Sequence, residues 1–279
     1  MGVVMINEDF FIYEQLSHKK NLEQKGKNAF DEETEELVRQ AKSGYHAFIE
    51  GINYDEVTKL DLNSSVAALE DYISIAKEIE KKHKMFNWRS DYAGSIIPEF
   101  LYRIVHVATV KAGLKPIFST RNTIIEISGA AHREGLQIRR KNEDFALGFH
   151  EVDVKIASES HRVISLAVAC EVKTNIDKNK LNGLDFSAER MKRTYPGSAY
   201  FLITETLDFS PDENHSSGLI DEIYVLRKQV RTKNRVQKAP LCPSVFAELL
   251  EDILEISYRA SNVKGHVYDR LEGGKLIRV

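Results

Sequence analysis

The spacing of apolar residues divides the chain into a helical first part and a strand-rich second part. Asp31, followed by four glutamates within five residues, predicts the start of a helix over Asp31–Gly44 because carboxylates favour a helix N-terminus. Apolar residues at helical spacing predict a second helix over Ser64–Lys84, which ends in lysines. Residues 6–50 as a whole have a helical, polar pattern.

A third helix is predicted from Asp91 to Lys111, and its polar face carries possible chemistry. At 100° per residue, Glu99, Arg103 and His106 lie opposite the apolar stripe. Glu99 and Arg103 are four residues apart, so one interpretation is a solvated salt bridge. The other interpretation is that Glu99 faces a catalytic centre.

After Gly113 the pattern changes to short apolar and β-branched runs, which are typical of strands. Helices before a strand-rich half, with one helix between strands, predict an α/β fold with a mixed sheet flanked by helices. We expect a helical N-terminal region over 1–89 and a core over 90–279. The final helix belongs either to the core or to a subunit interface. The predicted strands are at 115–128 with a turn at 121–122, 147–156, 162–173, 199–204 and 220–226; the helices are Leu181–Arg193 and Ser244–Ser261, and 208–218 is an exposed loop.

Composition narrows the class of protein. The 279 residues are 42% hydrophobic, enough for a buried core, and no apolar run approaches the ~20 residues of a membrane span. Cys170 and Cys242 form neither a disulfide framework nor a zinc spacing, so we expect a cytoplasmic protein. The alternating pattern places Cys170 in the core.

The distribution of charge along the chain is compatible with a polyanionic partner, although the net charge is −3. Residues 1–90 carry 12 basic and 17 acidic side chains, and the rest of the chain is slightly basic. The segment Arg227–Lys238 contains six basic residues and no acid. A local basic patch matters more to nucleic acid than the total charge does.

The segment 149–174 contains the candidate chemistry. Residues i and i+2 share a strand face, so Glu171 and Lys173 lie side by side at the end of an otherwise apolar strand. A hairpin turning near Ser158–His161 is expected to bring Asp153 close to Glu171. Two carboxylates on neighbouring strands suit Mg²⁺, and a lysine beside them can orient water and stabilise a negatively charged phosphate.

Two alternatives remain open for this segment. The charged strand end can be a surface salt bridge, and Asp153-Val154-Lys155 offers a competing lysine. Glu-x-Lys also occurs at Glu23 and Glu80, but only the pair at Glu171 ends an apolar strand.

Asp153, then Glu171-Val172-Lys173, then a basic helix resembles the PD-(D/E)xK nuclease superfamily, although Val152 stands where its motif has proline. The segment from Glu171 to Glu205 and its surroundings resemble, more closely, heteromeric type II restriction endonucleases of CCTNAGC-like sites. The resemblance implies a PD-(D/E)xK core and Mg²⁺-dependent cleavage of one strand of an asymmetric site by each of two related subunits. It maps Asp153 and Glu171 as metal ligands, Lys173 as catalytic, and Glu99 as an additional carboxylate.

The resemblance also implies a DNA cleft but assigns no base-reading residue. Phosphate contacts need lysine or arginine facing the cleft. Arg227–Lys238 has the pattern of a loop or strand that could enter a groove or stay a solvated surface. The candidate DNA-binding residues are Lys178, Lys180, Arg190, Lys192, Arg193, Arg227, Arg231, Lys233, Arg235, Arg139 and Arg140.

Three hypotheses follow from the sequence. The first is a restriction endonuclease subunit that acts on double-stranded DNA with a different partner subunit. The second is a repair or resolvase-type nuclease of the same superfamily without sequence specificity. The third is a DNA-binding subunit without catalysis, whose charged strand end is only a salt bridge.

Overall fold

The computed structural model describes residues 6–87, 91–119, 123–129, 136–156, 158–210, 212, 218–262, 268 and 271–274. The elements within these ranges follow the predicted order of helices first and a strand-rich half afterwards. The helices are α1 Ser17–Asn28, α2 Glu32–Gly51, α3 Tyr54–Lys59, α4 Asn63–Lys82, α5 Ile96–Lys111, α6 Lys178–Thr194, α7 Arg231–Val236 and α8 Pro243–Ser261. The strands are β1 Ile117–Phe118, β2 Thr123–Gly129, β3 Leu136–Lys141, β4 Phe145–Ile156, β5 Glu159–Ile176, β6 Ala199–Leu207 and β7 Glu222–Val225.

The start of α2 is the capped helix that the sequence predicts. The Asp31 carboxylate accepts the backbone N–H of Thr34 at 2.8 Å, and the Thr34 hydroxyl in turn accepts the N–H of Asp31. The helix continues past Gly44 to Gly51 because its apolar stripe extends to Phe48 in the core. Helix α5 begins five residues later than predicted, since Ala93–Ser95 form a separate helical turn.

Five strands form a mixed sheet in the order β1-β4-β5-β6-β7. Strands β1, β4 and β5 pair antiparallel, whereas β5, β6 and β7 pair parallel. Helix α6 makes the crossover that the parallel pairing of β5 and β6 requires. The predicted mixed sheet flanked by helices is therefore confirmed.

The register of the β4–β5 hairpin decides which residues meet at each end. Phe145 pairs with Cys170 at one end, and Asp153 pairs with Arg162 near the turn. The register shifts around Gly148, where an added Cβ would lie 2.1 Å from the carbonyl oxygen of Ser165. Only glycine fits this close approach of two backbones.

The sheet is covered on both faces. One hydrophobic cluster contains apolar residues of α2, α4, α5 and α8 together with Cys170, and Phe100 meets Phe246 edge to face at 5.4 Å. A second cluster packs Met191 of α6 against Tyr200 on the other face. Cys170 and the apolar stripe of α8 thus lie in the core. The predicted boundary at residue 90 stays a prediction; the first cluster extends across it.

One prediction about local structure is wrong: residues 231–236 form helix α7 rather than a loop or strand. Strand β3 is an element that the sequence pattern does not predict. The two-stranded sheet of β2 and β3 packs beside α6. The predicted turn at 121–122 and most of the loop at 208–218 lie outside the described residues.

Candidate active site

Glu171 and Lys173 occupy the end of β5 and lie side by side, as the strand alternation predicts. The Lys173 ammonium donates to Glu171 Oε1 at 2.6 Å. The residues from Leu166 to Cys170 before them are buried, and Ile176 after them is buried as well, so this charged pair interrupts an otherwise buried part of the central strand.

Asp144, directly before β4, completes this cluster. Its Oδ2 accepts the backbone N–H of Val172 at 2.8 Å and lies 3.5 Å from Lys173 Nζ. The side chains of Asp144 and Lys173 are 31% and 35% exposed, so both can be reached from solvent. Two carboxylates and one ammonium therefore meet where β4 begins and β5 ends.

Asp153 does not join this cluster, and the expectation that the hairpin brings it beside Glu171 is wrong. Asp153 pairs with Arg162, nine residues before Glu171 on β5, which at ~3.3 Å per residue is about 30 Å away. Asp153 is exposed near the hairpin turn, and Lys155 lies further towards it. The residue that meets Glu171 must lie as far before the turn as Glu171 lies after it, and that residue is Asp144.

The electrostatics of the cluster follow from burial and close charges. Burial, and then the charge of Glu171, raises the pKa of Asp144 to about 6. Burial opposes the charged form of Glu171, but Lys141 and Lys173 outweigh it and lower the pKa of Glu171. Burial also disfavours the charge of Lys173, yet Asp144 and Glu171 raise its pKa, so Lys173 is a cation at neutral pH.

Glu143 and Lys141 lie next to the cluster, although the sequence pattern indicates Lys141 only as part of a basic run with Arg139 and Arg140 and does not indicate Glu143. Lys141 Nζ lies 3.1 Å from Glu171 Oε2 and 3.2 Å from Glu143 Oε2, and it donates to the hydroxyl of Tyr200 at 2.8 Å. Burial raises the pKa of Glu143 to about 7. The signal that could have found them is their position just before β4, opposite the end of β5.

A cleft of about 1050 Å³ opens beside Asp144 and Lys173. The lining comes from α4, the residues around the start of α5, the last residues of β5 and β6, and α7. Cations outnumber acids on its surface, which suits a polyanion. The cationic lining residues are Lys77, Lys81, Lys173, Lys180, Arg231, Arg235 and Lys238; the acidic ones are Glu78, Asp91, Asp144 and Glu205.

Glu99 does not face this cleft, and its ion pair with Arg103 is fully buried rather than solvated. Glu99 Oε2 accepts the backbone N–H groups of His18 and Lys19, both at 2.8 Å, at the start of α1. Glu99 Oε1 accepts the Tyr45 hydroxyl at 2.6 Å. Both sequence interpretations of Glu99 are thus replaced by a structural one, in which its carboxylate joins α1, α2 and α5.

Among the predicted DNA-binding residues, Lys180, Arg231 and Arg235 line the cleft. Arg231 also pairs with Asp208 at 2.5 Å. Lys178 and Lys233 are exposed nearby on α6 and α7. Contact of these residues with DNA stays a prediction.

The position of Arg227 does not agree with the prediction that it binds DNA. Its guanidinium is fully buried and pairs with Glu70 at 2.7 Å and Glu205 at 2.8 Å. It also donates to the carbonyl of Ala239 at 2.6 Å. No part of it is open to a ligand, so Arg227 joins α4, β6 and the chain after α7.

The other candidates lie outside the cleft lining. Arg190 and Arg139 lie beside Glu126 of β2, at 2.6 and 3.7 Å. Lys192 pairs with Asp221 at 2.7 Å. The remaining two are Arg193, which pairs with Glu189, and Arg140, whose guanidinium lies 3.1 Å from His161 Nδ1.

The donor set fits a hard divalent cation that keeps water or phosphate among its ligands. The described residues contain no group of three or more His, Cys, Asp or Glu arranged to hold a metal. Asp144 and Glu171 supply two carboxylates beside an open cleft, and Mg²⁺ is commonly held by one or two carboxylates plus substrate phosphate.

In the described part of the chain, no helix has the length and apolar character needed to cross a membrane.

The fold is a mixed sheet flanked by helices, and Asp144, just before β4, meets Glu171 and Lys173 of the central strand β5 beside a cationic cleft. These features point to the nuclease class. A model of the Bpu10I restriction endonuclease family matches residues 91–257. The match covers more than half of the chain, so the chain belongs to the Bpu10I restriction endonuclease family and is a type II restriction endonuclease. Restriction endonucleases generally use divalent metal ions.

A solved structure titled "native BbvCI A2B2 tetramer at low resolution" contains a chain that is 96% identical to this one. The match covers 92% of this chain and 100% of that chain, with a TM-score of 0.66. The resemblance to heteromeric restriction endonucleases is thereby confirmed. No curated protein matches this chain.

Proposed function

We propose that this chain is one subunit of a heteromeric type II restriction endonuclease and that Asp144, Glu171 and Lys173 hydrolyse one strand of a short asymmetric DNA site with Mg²⁺. The observation that carries the proposal is the meeting of two carboxylates and an ammonium at the wall of a cationic cleft. The A2B2 composition of the 96% identical relative supports a different partner subunit. Asp144 takes the place of Asp153 as the first carboxylate.

The chemistry is the addition of water to phosphorus and the loss of one ester oxygen. When bound by Asp144 and Glu171, Mg²⁺ would polarise the scissile phosphate and favour ionisation of a nearby water. Lys173 donates hydrogen bonds to the negative charge that develops on the phosphate. The new P–O bond replaces the broken one, and a proton reaches the leaving oxygen.

Cleavage of supercoiled plasmid by the assembled enzyme tests the assignment of the two aspartates. Asp144→Asn and Asp153→Asn make the same chemical change at the two ends of one strand. We expect the unchanged enzyme and Asp153→Asn to give linear DNA, and Asp144→Asn and Lys173→Ala to give only nicked circles. Linear DNA from Asp144→Asn, or nicked circles from Asp153→Asn, would overturn the assignment.

The salt dependence of DNA binding tests whether the cleft contacts DNA. Each phosphate contact contributes about −0.9 to the slope of log K against log salt. Arg235→Gln, measured with Ca²⁺ and a duplex that contains the site, is expected to flatten that slope by about one contact. Arg39→Gln is the matched control, because Arg39 is exposed on α2 outside the cleft lining. Equal slopes for the two variants would remove α7 from the DNA interface.

A further inference from the structure

The ammonium of Lys141 lies among three oxygens on the side of Glu171 opposite Lys173. The oxygens are Glu171 Oε2, Glu143 Oε2 and the Tyr200 hydroxyl, at 3.1, 3.2 and 2.8 Å. Lys173 contacts the other oxygen of Glu171, Oε1. The Glu171 carboxylate is therefore held between two ammonium groups, one on each oxygen.

Removing the positive charge of Lys141 would destabilise the buried groups that surround it. Glu143 and Tyr200 are fully buried, and Glu171 is nearly so. Glu143 Oε1 has no hydrogen-bond partner among the described residues, so this carboxylate is paired only through Oε2. Without Lys141, Glu143 would lose the only ammonium beside it among the described residues, and Lys173 alone would face the charge of Glu171, which buried carboxylates tolerate poorly.

The arrangement resembles a two-metal site in which the ammonium of Lys141 stands in the place of one of the two metal ions. In two-metal sites the ions lie ~3.5–4 Å apart and commonly share a carboxylate. Here Glu171 is the shared carboxylate: Oε1 faces Lys173 and Asp144, and Oε2 faces Lys141 and Glu143. An ammonium and a divalent ion cannot both lie between Glu143 and Glu171.

We propose that Lys141 is a positioning residue that acts as a built-in cation. It fixes the Glu171 carboxylate and fills the place between Glu143 and Glu171, so that this subunit works with one divalent ion. The inference rests on the proposed function, in which Asp144 and Glu171 hold that ion. Lys141 also ends β3, three residues before Asp144, so the two-stranded sheet of β2 and β3 is connected through the chain to the proposed metal ligands.

Counting bound ions tests the inference without cleavage. Mn²⁺ is titrated into the assembled enzyme without DNA and followed by electron paramagnetic resonance. Lys141→Met is expected to bind one more ion per chain than the unchanged enzyme, and Asp144→Asn one fewer. Lys111→Met is the control: Lys111 is 27% exposed against 23% for Lys141, and it pairs with Asp55 outside the cleft lining.

The outcomes separate the two proposals. An unchanged count in Lys141→Met together with a loss in Asp144→Asn overturns the role of Lys141 and keeps the metal site. An unchanged count in Asp144→Asn overturns the metal site itself. Lys141→Arg keeps the charge and is expected to keep the original count; a count that rises in it as much as in Lys141→Met contradicts the inference, whatever the thermal unfolding of either variant.

The Mg²⁺ dependence of cleavage gives a second readout. An end-labelled duplex identifies the strand whose cutting Lys173→Ala abolishes. At low Mg²⁺ the rate on that strand should rise with the first power of Mg²⁺ in the unchanged enzyme and with the second power in Lys141→Met. The saturated rate should fall roughly 10- to 100-fold, the usual effect of removing a group that orients a metal ligand. Lys141→Arg should restore the first power, and first-power behaviour in Lys141→Met would refute the proposal.

Discussion

Glu99 offers a direct test of whether a buried carboxylate on α5 serves the chemistry or the fold. Its carboxylate accepts four hydrogen bonds, from the backbone of His18 and Lys19, the hydroxyl of Tyr45 and the guanidinium of Arg103. All four donors lie in the N-terminal helices or on α5. Glu99→Ala therefore removes the acceptor at the start of α1 and leaves Arg103 with fewer partners.

The expected loss of stability can be bounded from these contacts. Removing one partner of a buried ion pair costs about 3–5 kcal/mol because a buried charge loses its counterion. Arg103 keeps its pair with Glu8 at 2.7 Å, which places the estimate near the lower bound. Glu99→Gln retains one carbonyl acceptor, so we expect roughly 2 kcal/mol for it. Against a total of about 5–15 kcal/mol, these are large fractions.

Urea unfolding of each variant measures the change, and plasmid cleavage at low temperature measures the activity of the folded enzyme. We expect cleavage per folded molecule to stay within about twofold of the unchanged enzyme, because Glu99 touches neither the cleft lining nor Asp144. Glu251→Ala, at an exposed position in the middle of α8, should change stability by less than about 0.5 kcal/mol. Abolished cleavage in a Glu99→Gln enzyme of unchanged stability would refute the structural role.

Three further predictions concern stability, each measured by urea unfolding. Burial lowers the pKa of His18 to about 4, so its folded form binds fewer protons than the unfolded form, and His18 alone should account for a fall in stability of about 2 kcal/mol between pH 7.5 and 5. His106, whose pKa burial also lowers to about 4, adds its own share, so His18→Asn should reduce the fall by about 2 kcal/mol, and a His18→Asn enzyme with an unchanged pH dependence would contradict this. Arg227→Met removes the buried guanidinium from Glu70 and Glu205, which keep only Lys238 and Lys77, so the cost should be about 3 kcal/mol, near the lower bound for a broken buried pair, and a loss below about 1 kcal/mol would show that the pairs contribute little. Gly148→Ala forces a Cβ against the Ser165 carbonyl and should cost about 1–3 kcal/mol, whereas unchanged stability would mean that the two strands separate freely.

The elements that the sequence predicted well are those whose signals are local. A capping aspartate, a helical stripe or an alternating strand acts through neighbours within a few residues, so α2, α4, β5 and α8 could be recognised from their own segments. Helix α7 could not, because its six residues are too few to show a helical period and its basic residues suit any exposed segment.

The register of the β4–β5 hairpin, rather than a sequence motif, decides which carboxylate faces Glu171. Asp153 is on the correct strand and has the correct chemistry, but pairing across a hairpin is symmetric about the turn. The pairs Phe145 with Cys170 and Ile156 with Glu159 place the centre of the hairpin between residues 157 and 158, and Asp144 is then opposite Glu171. The predicted turn near Ser158–His161 lies later, and each residue of error in the turn moves the position opposite Glu171 by two residues.

The buried charges were beyond the reach of sequence patterns. Glu99, Arg103 and Arg227 occur where a helical wheel or a basic run places solvent-exposed residues. Their partners are distant in the chain: Glu8 lies 95 residues from Arg103, and Glu70 lies 157 residues from Arg227. Only the folded chain shows that these charges neutralise one another.

Helix α4 carries Lys77 and Lys81 into the cleft, yet it precedes residue 91, where the match to the family begins. A substitution on this helix changes the attraction of the cleft for a polyanion and leaves the carboxylates and Lys173 untouched. Part of the positive charge of the cleft is thus encoded in a stretch of the gene that lies before the one encoding the carboxylates and Lys173, although Lys180, Arg231 and Arg235 lie within the family match. Over evolution, substitutions on α4 can change the charge of the cleft while the cluster at Glu171 stays the same.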